Sequence, residues 1–160
     1  MSIPRTAATF PPPVMEARRW IDGVTFPADR PLSNVSQAAP VDPPPAALRQ
    51  AMADAALTRD DVHLYGPVLG MPALRGALSA QINRHYGGTT TADNVAITSG
   101  CNQAFAATIA ALCDEGDEVI LPTPWYFNHK MWLDMAGVTA VPLPAGPDMI
   151  PDPVAAAALI

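Results

Sequence analysis

Val95-Ala96-Ile97-Thr98-Ser99-Gly100-Cys101-Asn102-Gln103-Ala104 is the stretch on which the fold turns. Val95 to Thr98 has the character of a short strand. After Ser99-Gly100 the apolar residues Phe105, Ile109 and Leu112 recur at helical spacing, so Asn102 to Cys113 reads as a helix. Where a strand hands over to a helix, the first helical N–H groups have no intrahelical acceptor and the positive end of the helix dipole points outward. That combination suits an anion. Gly100 lets such an anion approach the backbone, because no Cβ stands in the way. The same residues also fit an ordinary tight turn between strand and helix. The stretch is neither a Walker loop, since Gly-Lys-Ser/Thr is missing, nor a Gly-x-Gly-x-x-Gly fingerprint.

Working outward, the alternation continues. Asp114-Glu115-Gly116-Asp117 reads as a turn, Glu118 to Leu121 as a strand, Tyr126 to Met135 as a helix and Val138 to Leu143 as a further strand. Upstream, Pro43 to Pro45 opens a helix carrying Leu48, Met52 and Ala55, and Tyr65 to Gly70 is a turn-rich loop. Pro72 then starts a helix with Leu74, Leu78, Ile82 and Tyr86 on one face, stopped by Gly87-Gly88. Strands separated by helices imply βαβ units, hence an α/β fold with a mainly parallel sheet and flanking helices. Residues 1–45, Pro-rich and turn-rich, read as an N-terminal arm or extended segment, and 46–160 as one incomplete domain. Asp152 is placed to cap a final helix begun by Pro153, but the sequence runs out after about two turns, fewer than the ~12–15 residues a lone helix needs. The expectation is a chain that stops inside a larger domain.

Composition narrows the function classes. With 49% apolar and 15% charged residues the 160-residue chain has the make-up of a globular protein, and a net charge of -6 leaves no basic surface for nucleic acid. No apolar run approaches the ~20 residues of a membrane span, and no signal-type segment opens the sequence, so a soluble cytoplasmic protein is expected. Cys101 and Cys113 stand at the two ends of one predicted helix, about 18 Å apart along its axis, too far for a disulfide. His63, His85 and His129 lack metal-ligand spacing and read as surface or packing residues.

Two further segments carry chemistry-bearing residues. Pro122-Thr123-Pro124-Trp125-Tyr126 follows a strand, and open α/β sheets bind ligands beyond the carboxyl ends of their strands. Tyr126 and the Ser99–Asn102 turn should therefore face one crevice, where the ring could stack on a flat heterocycle or simply pack. Tyr65-Gly66-Pro67-Val68-Leu69-Gly70-Met71-Pro72-Ala73-Leu74-Arg75 is a loop-to-helix junction in which Arg75 reads as a solvated or structural charge.

Taken in order, Tyr65…Gly70…Leu74-Arg75, then Val95 to Ala104, then Gly116 to Tyr126, resemble the N-terminal half of the class I/II aminotransferases of pyridoxal-phosphate fold type I. The resemblance runs from about residue 35 to 160 and covers less than half of a full family member. It implies pyridoxal 5'-phosphate as cofactor, held through its phosphate at Gly100 and the backbone N–H groups of Cys101 and Asn102, with Tyr126 stacked on the pyridine ring. It also implies that Tyr65 reaches the phosphate of a neighbouring subunit in a homodimer. Ala38 stands in the Ala38-Ala39-Pro40 stretch where the family has the Gly-Glu-Pro that lies against the substrate carboxylate. The implied partners are an amino acid and a 2-oxo acid, with no nucleic acid and no membrane.

The same resemblance implies what is missing. The family's covalent lysine, its Asn-Pro segment, the aspartate facing the pyridine nitrogen and the carboxylate-gripping arginine all match positions beyond Ile160. Lys130, the only lysine, sits four residues after Tyr126 and reads as a solvated charge. No catalytic residue is therefore assigned, and this chain alone is expected to be inactive. A C–S β-lyase or decarboxylase on the same scaffold, or a non-catalytic remnant, stays open beside the aminotransferase reading.

Overall fold

The computed structural model describes residues 4–7, 9–37 and 39–160. Among these described residues, six α-helices and two strands follow a 3-10 turn at Arg5–Ala7: α1 (Pro13–Trp20), α2 (Ala46–Thr58), α3 (Pro72–Tyr86), α4 (Cys101–Leu112), β1 (Glu118–Thr123), α5 (Phe127–Ala136), β2 (Thr139–Pro144) and α6 (Pro153–Ala157). The chain forms two compact units, Met1–Gln37 with Ser99–Ile160, and Ala38–Thr98.

In the first unit β1 and β2 pair in parallel, from Glu118 opposite Thr139 to Thr123 opposite Pro144, with α5 as the connection. Thr139 N–H donates to Asp117 O at 2.8 Å and Ala145 N–H to Thr123 O at 2.9 Å. Odd-numbered residues of β2 thus face β1, and Pro142 and Pro144, at the intervening positions, cost that ladder no bond. The donors they lack belong to the opposite side of β2, which is where a proline is tolerated in a strand. Leu133 of α5 is fully buried and forms a core with Ile109, Leu121 and Val138, ringed by Phe105, Val119 and Trp125. Leucine at such a site stabilises a fold by about 2–5 kcal/mol over alanine. Gly137, in the left-handed region, ends α5.

The segment read as an irregular arm contains α1. Pro13 supplies a pre-set φ at its first turn, and Glu16 near the start with Arg18 and Arg19 near the end complement the helix dipole. Further contacts fix the stretch before it: the Arg5 guanidinium donates to Ala136 O at 3.2 Å and pairs with Glu115, while Thr9 Oγ1 donates to Asp134 Oδ2 at 3.2 Å.

In the second unit, α3 is tied to the segment that follows it by Asn83. Its Nδ2 donates to Thr90 O at 2.8 Å, and its Oδ1 accepts from Thr90 N–H at 2.9 Å. Buried Ser79 donates to the same carbonyl at 2.7 Å. Val95–Thr98, expected as a strand, joins no sheet. Ile97 N–H donates to Leu69 O at 2.9 Å and Val95 O accepts from Arg75 Nε at 2.7 Å, so a loop carbonyl and a guanidinium take the positions a neighbouring strand would occupy. Arg75 is accordingly structural, its side chain only 12% exposed.

Candidate functional site

Gly100 caps the start of α4 with φ 88° and ψ 170°, a conformation that glycine adopts without strain and other residues do not. A Cβ there would meet nothing within 4 Å, so the space above the turn is open. Gln103 folds back to accept the Ser99 N–H on Oε1 at 2.5 Å, which fixes the turn from its own first helical residues. Cys101 and Asn102 are the first two residues of α4, where no carbonyl four residues back lies within the helix. The Cys101 thiol is free and exposed.

Tyr126 follows the carboxyl end of β1 and precedes α5, and the residue is 44% exposed. Two edge-on neighbours hold it, Phe127 and His129, each with ring centroids 5.2 Å away. His129 is itself stacked on Phe105 at 4.1 Å, so the packing role expected for it holds. Asn128 makes the decisive contact. Its Nδ2 donates to Tyr126 Oη at 2.7 Å and to Asn102 Oδ1 at 3.2 Å. The glycine turn and the aromatic residue, distant in sequence, are thereby neighbours. Sequence reasoning passed over Asn128; the signal available was a polar amide in the first turn of a helix opening beside Tyr126.

Tyr65 lies in the second unit, after a 3-10 turn at Asp60–His63, and is fully exposed. It lines a cavity of about 590 Å³ with Arg59, Asp61, Leu64, Gly66 and Met71. Arg59 and Asp61 form an ion pair at 2.5 Å. Their hydrogen bond raises the Arg59 pKa and lowers that of Asp61 from the ordinary values. Ala38 lies outside the described residues.

Lys130 differs from expectation. It is not a solvated charge: its ammonium pairs with Asp134 one turn along α5, and its side chain is 24% exposed. The carboxylate draws the flexible stem along the helix, where it is partly covered. His63 and His85 contact the carbonyls of Ala56 and Gln81, each at 2.9 Å. Among the described residues no group of three or more acidic, histidine or cysteine side chains could hold a metal ion, and no helix is long and apolar enough to cross a membrane.

Parallel strands joined through a helix, with a glycine turn and an aromatic residue meeting beyond a strand's carboxyl end, define an α/β fold of the kind that places ligands at that end. The chain belongs to the class I and II aminotransferases, a family it matches over residues 32–159. It is 42% identical over 77 residues to an aromatic aminotransferase of Arabidopsis thaliana, covering 48% of this chain and 19% of that protein. It is 34% identical over 110 residues to an aspartate aminotransferase of Streptomyces avermitilis, covering 69% and 27%. Among solved structures, an aminotransferase from Mycobacterium tuberculosis superposes with a TM-score of 0.74 at 30% identity, over 92% of this chain and 37% of that one. The chain thus spans roughly a fifth to a quarter of these two curated relatives.

Proposed function

We propose that the chain is the cofactor-holding part of a pyridoxal-phosphate-dependent aminotransferase, which moves an amino group from an amino acid to a 2-oxo acid. The observation that carries this reading is the Asn128 amide joining Tyr126 to Asn102 beside the open face of Gly100. The residues fit the group: a Cβ at Gly100 would fill the space a phosphate needs, and a partly exposed ring stands next to it. Pyridoxal 5'-phosphate, when bound, supplies an electron sink for bonds at the amino acid's α-carbon. Cys101 and Asn102 would hold the phosphate through their backbone N–H groups at the positive end of α4. Tyr126 would cover one face of the heterocycle and keep water from it. Tyr65, fully exposed on its loop, would reach the phosphate of a second copy in a homodimer.

Titration of the chain with pyridoxal 5'-phosphate, followed by equilibrium dialysis, tests this. Saturable binding displaced by inorganic phosphate is expected, with Tyr126→Ala weakening it by roughly three- to tenfold. No binding, or the same affinity in the variant, removes the assignment.

A further inference from the structure

We infer that Asn128 is a positioning residue that locks the Tyr126 ring to the phosphate turn, so that phosphate and heterocycle are recognised as one rigid unit. The inference rests on the reading of this site as a cofactor site. Asn102 has two roles in it: its backbone N–H opens α4, while its side-chain Oδ1 accepts from Asn128 at 3.2 Å. The other hydrogen of the Asn128 amide goes to Tyr126 Oη at 2.7 Å. Both donors of one planar NH₂ are therefore committed, one to each half of the site, and a primary amide offers no third.

The Tyr126 ring would otherwise have freedom. It is partly exposed, and its two ring neighbours are edge contacts rather than a stacked sandwich, so they limit its tilt without fixing its distance from α4. The hydroxyl bond supplies that missing constraint. Because Oη accepts from Asn128, its own proton is left to point elsewhere. A ring held in place before the ligand arrives does not lose freedom on binding, and such pre-organisation raises affinity without adding any contact. Asn128 touches neither the phosphate nor the heterocycle in this scheme; it acts through Tyr126 and Asn102.

The test compares pyridoxal 5'-phosphate with inorganic phosphate in the full chain, using Asn128→Leu, which keeps the size and removes the donors, Tyr126→Phe, which removes only the acceptor, and the double variant. Affinity for pyridoxal 5'-phosphate is read by dialysis, the orientation of the bound chromophore by its induced circular dichroism, and phosphate affinity by ³¹P NMR. Asn128→Leu should weaken pyridoxal 5'-phosphate by roughly five- to tenfold and reduce the dichroic band, with phosphate affinity unchanged. Tyr126→Phe should reproduce that loss, and the double variant should lose no more than either. Equal weakening of both ligands would make Asn128 a mere support of the turn and overturn the inference, as would additive losses or an unaffected Asn128→Leu. Should Asn128→Leu not fold, Tyr126→Phe decides alone, since it leaves the packing intact. A wild-type chain that binds phosphate but not pyridoxal 5'-phosphate sinks the cofactor reading and this role with it. Wild-type binding with unaltered variants sinks only the role.

Discussion

Gly70 and Gly100 share a positive φ, 95° and 88°, each shortly before a helix, yet they face opposite surroundings. A Cβ built on Gly70 would lie 2.7 Å from both Cβ and Cγ1 of Ile97, whereas one built on Gly100 would meet nothing within 4 Å. The first glycine is required because a neighbouring side chain already fills the space. The second holds space that the protein leaves open. Two glycines that look alike in sequence thus differ in use: one is needed for packing in its unit, and the other, under the proposed function, leaves room for a ligand.

The largest expected effect is on Gly70. Gly70→Ala drives a methyl group into a β-branched side chain that has no freedom to retreat, and adds the strain of a positive φ, for a loss of about 3 kcal/mol. Chemical denaturation should show it, together with faster amide exchange at Ile97, whose N–H bonds to Leu69. Gly100→Ala should cost only the backbone strain, about 1–3 kcal/mol, but should abolish saturable pyridoxal 5'-phosphate binding. If Gly100→Ala proves the more destabilising, or leaves ligand affinity intact, the contrast between the two glycines collapses. The smallest effect belongs to Lys130→Met, which removes a one-turn ion pair worth about 0.5 kcal/mol and should leave cofactor affinity untouched. A loss of binding there would make the lysine part of the site.

The elements most legible in the sequence were those defined by local chemistry. Pro72 at the start of α3, Gly87 at its end and the Asp152 cap of α6, which accepts the Val154 N–H at 2.9 Å, were readable because each depends on residues within a turn of itself. The same holds for β1, α5 and β2, whose apolar runs are bounded by Gly116 and Gly137. Val95–Thr98 was read as a strand from its apolar run, but strand formation depends on a neighbour, and here Arg75 and Leu69 satisfy the backbone instead. The helix at Pro13–Trp20 was hidden by the prolines before it, which mark a helix start as readily as an irregular segment. At the site, Gly100 and Tyr126 could be nominated from their places at element ends. The bridge through Asn128 could not, because it joins residues from different elements through a side chain whose rotamer only the fold sets.

The pairing of Lys130 with Asp134 has a practical consequence for chemical labelling. The sequence holds a single side-chain amine, and that amine is partly covered and engaged by a carboxylate. Borohydride trapping of an aldehyde ligand, read by peptide mass spectrometry, therefore has one side-chain attachment point to report. Slow modification at Lys130, quickened by Asp134→Ala, would mark it as a bystander amine and make this chain a low-background host into which a reactive lysine can be introduced by design.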